Sequence, residues 1–328
     1  MSYRKWKTTG NLNFARFDHT ASRLSNGKVL VTGGSDSHLI QSAELYDPST
    51  GNWTTTGKMN VARSDHTASI LSNGKVLVTG GWGHHFLNSS ELYDPSTGNW
   101  TITGYMNVPR NRHATSILLN GKVLVTGGWS YVQYNSAELY DPLTGNWTTT
   151  GDMKGDRYDH TASTLSNGKV LITGGWSNGY LNSAELYDPS TGNWTRTGNM
   201  NVARSYHTAS VLLNGKVLVS GGDNSGSLDS AELYDPSTGN WTRTGSMTVA
   251  RAHHTASILS NGKILVTGGI YGVWIHSAEL YDPLTGNWAT TGYMSVARLD
   301  HAASVLLNGK VLVTGGLSNT WLDSAELY

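Results

Sequence analysis

The chain contains no cysteine. That removes disulfides, thiolate metal sites and thiol nucleophiles, and leaves the redox compartment open. No apolar run approaches the roughly 18 residues of a membrane-spanning helix, so no membrane partner is expected. An excess of charge is also missing, since 23 Lys and Arg stand against 23 Asp and Glu. Without a basic stripe to track phosphates, nucleic acid is not an expected partner. No helical period appears anywhere, and neither a Gly-x-Ser-x-Gly elbow nor a phosphate loop is expected. The opening run Met1-Ser-Tyr-Arg-Lys-Trp6 enters the pattern described below at once, so no signal peptide is expected within this sequence.

What is present is repetition. Histidines fall at His19, His66, His113, His160, His207, His254 and His301, always 47 residues apart. Tryptophans keep the same step at Trp6, Trp53, Trp100, Trp147, Trp194, Trp241 and Trp288. Seven such steps span 329 positions in a chain of 328 residues, with no insertion or deletion. A fixed period of this length marks a repeat architecture and overrides the two-domain prior that length suggests. The charges belong to the repeat too: seven Arg (Arg16 to Arg298) precede the histidines, seven Lys (Lys28 to Lys310) follow Asn-Gly turns, and seven Glu run from Glu44 to Glu326.

The second repeat shows the unit most clearly. His66-Thr-Ala-Ser-Ile-Leu71 reads as a strand, and Asn73-Gly74 as a tight hairpin turn that needs positive φ at both positions. Lys75-Val-Leu-Val-Thr79 is continuously apolar after its lysine, as expected of a strand covered on both faces, and it stops at Gly80-Gly81. A seven-residue connection leads to Ser90-Glu91-Leu-Tyr93-Asp94, a Pro95-Ser-Thr-Gly98 turn, and Asn99-Trp100-Thr-Ile-Thr103. Four antiparallel strands repeated seven times predict an all-β fold, a seven-bladed β-propeller.

The residues Arg63, His66, Gly80, Gly81, Glu91, Tyr93 and Trp100, with their 47-residue equivalents, form the structural framework. Their order, Arg-x-x-His, Gly-Gly, Glu-x-Tyr-Asp and then Trp, resembles the kelch repeat, whose period is about 50 residues. The resemblance covers residues 1–328, which read as one propeller. No Trp-Asp dipeptide occurs, so the WD-repeat pattern does not apply. Two departures are small: Lys154-Gly-Asp-Arg157 replaces runs like Asn60-Val-Ala-Arg63, and Ala114-Thr115 inverts the usual Thr-Ala. Among proteins with kelch-like propellers, galactose oxidase uses copper and a tyrosine cross-linked to cysteine, which this chain cannot form.

The ends of the sequence predict ring closure. The chain stops at Tyr328, inside the turn between the third and fourth strands, so Trp6-Lys-Thr-Thr9 should supply the fourth strand of the last blade. Such pairing removes an exposed sheet edge. In a four-strand meander, alternate connections emerge at opposite ends. The turns joining first to second and third to fourth strands share a lower face and barely vary. The connections joining second to third and fourth to first strands share an upper face and vary greatly.

Every tryptophan and histidine outside the framework falls on that upper face. Trp82, Trp129, Trp176, Trp274 and Trp321 join His38, His84, His85, Phe86, Tyr131, Tyr134, Tyr180 and Tyr271 as candidate binding residues. Asp18, Asp65 and Arg112, from the variable pair inside Arg-x-x-His, complete the set. Aromatic rings offer contact area at low entropic cost, and function rides on loops held by a rigid scaffold. The sixth connection position (Ile40, Leu87, Tyr134) should tuck inward. The framework histidines cannot converge to the 2.0–2.1 Å a metal ion requires; each should hydrogen-bond a neighbouring strand, while each framework Arg caps carbonyls or pairs with Glu. A ring of Arg could also draw an anion to the channel mouth. His38, His84 and His85 match no metal-ligand spacing. No cofactor, metal or catalytic residue is therefore expected. The expected role is a non-enzymatic, monomeric binding module for a protein or peptide. Alternatives are a glycan-binding propeller, with rings stacking on sugars, and an engineered or trimmed repeat scaffold without a selected ligand. Five Asn-Trp-Thr runs (Asn52, Asn99, Asn146, Asn193, Asn240) and Asn88-Ser-Ser90 fit the glycosylation pattern, but the former belong to the repeated lower turn.

Overall fold

The computed structural model describes residues 6–328, all strand and loop with no helix. Seven four-stranded antiparallel sheets follow one another round an axis, forming a seven-bladed propeller. Blade 1 begins at Thr20, blade 2 at Thr67, blade 3 at Ala114, blade 4 at Thr161, blade 5 at Thr208, blade 6 at Thr255 and blade 7 at Ala302. Blade 2 comprises Thr67–Ile70, Val76–Thr79, Ser90–Asp94 and Asn99–Ile102. Its register pairs Ser69 with Leu77, Leu77 with Leu92, and Leu92 with Thr101. The ring closes as expected: Lys7 and Thr8 pair with Leu327 and Glu326 as the outer strand of blade 7. The Trp6 ring lies 5.3 Å from that of Tyr328.

The core is a series of layers between blades. Val29 and Val31 of blade 1 pack against Leu312 and Ala325 of blade 7. Leu30, between them, packs against Val76 and Tyr93 of blade 2. Successive side chains of a strand point to opposite faces, so a strand sandwiched between two neighbours must be apolar at every position.

The Arg and Glu of each repeat build its spoke. Glu91 Oε1 accepts from Arg63 Nη2 at 2.9 Å and from the Val61 amide at 3.0 Å, and its Oε2 accepts from the Asn60 amide at 2.7 Å. Arg63 Nη1 donates to the carbonyls of Gly80 and Ser89. All seven Arg–Glu pairs recur between 2.7 and 3.0 Å with both side chains essentially inaccessible. No framework guanidinium is free for an anion, which corrects the expectation of an arginine ring at the channel mouth. In repeat four the Lys154 amide still donates to Glu185, so its substitution spares the backbone contact.

Each framework histidine reaches the preceding blade, as expected. His113 Nε2 meets Thr67 Oγ1 at 3.0 Å and Thr79 Oγ1 at 3.3 Å. Where the first strand starts with alanine, at Ala114 and Ala302, one hydroxyl remains, so His160 meets only Thr126 and His19 only Thr314. Burial holds all seven imidazoles well below their ordinary range, at about 3 for His113, His207 and His301.

Candidate binding face around the axis

The residue before each framework histidine adopts a left-handed backbone, with φ between 48° and 55° at Asp18, Asp65, Arg112, Asp159, Tyr206, His253 and Asp300. The reason is a closed cycle of main-chain hydrogen bonds. The amide of each donates to the carbonyl of its equivalent one blade back, from Asp65 to Asp18 at 3.3 Å round to Asp18 to Asp300 at 3.1 Å. This cycle crowns the upper end of the axis and sets seven side chains around one point. Sequence reasoning picked Asp18, Asp65 and Arg112 and missed Asp159, Tyr206 and Asp300. It placed His253 on the upper face without assigning it a site. Aligning the position before each histidine would have revealed four Asp in seven.

Arg112 spans the ring, donating to the Tyr206 hydroxyl at 2.8 Å and lying 3.6 Å from Asp65 and 3.7 Å from Asp159. His253 stacks on Tyr206 with ring centroids 3.9 Å apart, and its Nδ1 meets Asp300 Oδ1 at 2.7 Å. Burial, with neighbouring carboxylates, pushes Asp18 well above the usual carboxylate range. Burial likewise raises Asp65, and Asp159 to about 6, against the opposing pull of Arg112. His253 is raised because the hydrogen bond and charge of Asp300 outweigh its burial.

Outside the ring stands an aromatic arc on blades 2 and 3. Phe86 is half-buried beneath three rings, with centroids 4.7 Å from Trp82, 4.9 Å from Trp129 and 5.2 Å from Tyr131. Trp82 and Trp129 are each 38% exposed and Tyr131 is 81% exposed. The main chains of Trp82 and Trp129 bridge to Ser64 and Asn111, the residues beside Asp65 and Arg112, so arc and ring adjoin. On blade 4, Trp176 and Tyr180 pack edge to face, and the Tyr180 hydroxyl donates to Asp223.

On blade 6 the connection forms a hairpin of its own, Ile270–Tyr271 with Val273–Trp274 about Gly272. This element was not anticipated. It lifts Tyr271 and Trp274 clear of the surface, and Trp321 stands exposed on blade 7.

Three candidates serve the scaffold more than the surface. Tyr134 lies half-buried, its hydroxyl on Ser130 Oγ and its ring 5.5 Å from the Arg110 guanidinium. Phe86 and Tyr180 mainly support their neighbours. Ile40 and Leu87 are buried as expected. His38, His84 and His85 are exposed at the tips of blades 1 and 2. Among the described residues no three of His, Asp and Glu assemble as a metal site.

Gly175-Trp-Ser177-Asn-Gly179 does carry Gly-x-Ser-x-Gly spacing. It is a strand-to-strand connection, with the Ser177 amide bonded to the Gly179 carbonyl and no helix after it, so it is no nucleophile elbow. Below the ring, inner-strand residues such as Ala21, Ser69, Ser116 and Ala162 line a cavity of about 550 Å³.

Blades, closure and spokes define a seven-bladed β-propeller of repeated 47-residue units. The KLHDC2/KLHL20/DRC7 Kelch-repeats domain matches residues 148–316, and the Kelch motif matches 18–60, 63–107 and 110–154. The chain belongs to the kelch-repeat β-propeller family. Among solved structures it is similar to a fungal alcohol oxidase of the AA5 family in complex with copper. The identity is 20% and the TM-score 0.82, covering 98% of this chain and 76% of that one. At that identity the likeness is one of fold. No curated protein matches it in sequence.

Proposed function

We propose that this propeller is a non-enzymatic module that binds a protein or peptide through its upper face, with the axial ring as floor and the aromatic arc as wall. The observation that carries this reading is the arc itself. Trp82, Trp129 and Tyr131 leave large apolar surfaces in water around a packed Phe86, on a scaffold that fully buries its framework tyrosines. Such anchors are what binding surfaces concentrate. The side chains differ from blade to blade, which suits one composite site rather than seven equivalent sugar sites. The chain also lacks the cysteine needed for a Tyr–Cys cross-link.

The test compares the protein with a variant carrying Trp82→Ala, Trp129→Ala, Trp176→Ala and Trp321→Ala, on a random peptide display library and on a glycan array. Peptide binders that lose at least tenfold in affinity for the variant support the reading. Retention confined to glycans would replace it with the sugar-binding alternative. Binding indifferent to the four changes would remove the upper face from consideration.

A further inference from the structure

The axial ring has a charge imbalance that its own side chains leave unresolved. Four carboxylates, Asp18, Asp65, Asp159 and Asp300, face one guanidinium and one imidazole. Fully ionised, the four would leave two negative charges unmatched even with His253 protonated. The two cations are already engaged, Arg112 between Asp65 and Asp159 and His253 on Asp300. Among the described residues, no side chain comes within ion-pair or hydrogen-bonding distance of the Asp18 carboxylate, which has Asp300 on one side and Asp65 on the other. Asp159 is 7% exposed, and its carboxylate is held by the Arg112 guanidinium, 3.7 Å from Oδ2, with the Tyr206 hydroxyl beside it. Unpaired charge in such surroundings is costly. Here the main-chain cycle imposes it by holding the seven residues at one point in left-handed conformations.

A cation delivered to this spot would meet three things at once: unmatched carboxylates, the stacked Tyr206–His253 pair, and the adjoining apolar arc. A free ion would use only the first. We infer that the partner presents a basic side chain, lysine or arginine, to the ring between Asp18, Asp65 and Asp300, and an apolar side chain close by in its sequence to Trp82 and Trp129. This rests on the upper-face reading above and adds the chemistry of the partner. Desolvation raises Asp18 and Asp65 when nothing is bound, and an incoming cation would draw these two back toward ionisation.

The experiment selects a random 12-residue peptide display library on the native protein. It then measures the recovered peptides by calorimetry against Asp18→Asn/Asp65→Asn and Trp82→Ala/Trp129→Ala. Asparagine tolerates the left-handed backbone, so the first variant keeps its fold, checked by an unchanged circular dichroism spectrum. The expected result is a Lys or Arg at one fixed position beside an aromatic or aliphatic residue. Replacing that basic residue by Gln, or using the Asp variant, should weaken binding at least tenfold, and the Asp variant should flatten the salt dependence. Peptides that are acidic or neutral, yet still lose binding on the Trp variant, would overturn the basic partner and spare the upper-face site. Basic peptides indifferent to the Asp variant would overturn it too. A library yielding no peptide sensitive to either variant would overturn both readings.

Discussion

Arg110 and Arg112 stand two residues apart and occupy opposite worlds. Arg110 is wholly inaccessible, fixed by Glu138 at 2.9 Å and by the carbonyls of Gly127 and Ser136. Burial presses its pKa down despite that partner. The Arg112 side chain is 39% exposed and reaches across the axis to Asp65, Asp159 and Tyr206, whose charges outweigh burial and raise it. The first arginine is one of seven identical spokes whose acceptors come from its own repeat. The second answers to residues from three other repeats. The frame is built from local, sevenfold contacts, whereas the ring is a single non-repeating assembly on top of it.

Acid should separate frame from ring most strongly. The framework histidines have folded pKa values depressed below the unfolded value of about 6.5. Above pH 6.5 they are neutral in both states. As pH falls from there toward about 3, the unfolded chain binds protons that the fold refuses. Each then subtracts about 1.4 kcal/mol per pH unit. The ring carboxylates act oppositely: Asp159, raised to about 6, contributes stability that is full below the unfolded value near 3.8 and lost as pH rises through 6. Seven histidines outnumber three raised carboxylates, so urea midpoints should drop steeply from pH 6.5 to 5. A flat profile would contradict the burial of the histidines.

Next in size is the spoke. Glu91→Ala leaves Arg63 buried without its counter-charge and the amides of Asn60 and Val61 without their acceptor. Breaking a buried pair costs about 3–5 kcal/mol, read by chemical denaturation, and Arg63→Met added to it should cost much less than its effect alone.

Two glycines give a finer contrast. At Gly81, with φ +100, a Cβ would lie 2.5 Å from the Ser64 carbonyl oxygen, in the wall beside the ring. At Gly74, with φ +82, it would meet nothing. Gly74→Ala should cost about 1 kcal/mol, the left-handed penalty alone, and Gly81→Ala several times that, in the same denaturation assay.

At the ring the sign reverses. Asp18→Asn removes a half-buried carboxyl set among like charges, so thermal stability at pH 7 should rise slightly, by no more than about 1 kcal/mol, and the gain should vanish near pH 4. A loss of stability at pH 7 would show that Asp18 has a countercharge after all. Smallest is the arc: Trp129→Ala should shift stability by less than about 1 kcal/mol, since the ring is partly in water, while affecting peptide binding.

Much of the frame was legible because it is local. The hairpin at Asn-Gly, the apolar run and the Pro-x-Thr-Gly turn act within a few residues, and the 47-residue period multiplies them, although only the glycine of each Asn-Gly takes a positive φ, which corrects the expectation of positive φ at both positions. The histidine contacts with the preceding blade could be anticipated because every repeat has the same neighbour. The site was legible only in outline. Trp82 and Trp129 were recognised as surface residues, but their convergence over Phe86 depends on how two adjacent connections fold. The blade 6 hairpin turns on Gly272, which no other connection has at that position. Tyr134 reads like its aromatic neighbours yet folds back over Arg110.

From the sequence alone come seven blades, their strand order, the closing N-terminal strand and the division into a constant and a variable face. These follow from short-range hydrogen bonding and apolar alternation, repeated without a break. Only the tertiary structure joined Asp18, Asp65, Arg112, Asp159, Tyr206, His253 and Asp300 into one ring. Residues up to 282 positions apart in the chain become neighbours there because a closed circle brings its last blade to its first. The shifts of Asp18, Asp65, Arg112, Asp159, Tyr206 and His253 depend on that circle being shut, since it is closure that packs their charges together and takes them partly out of water.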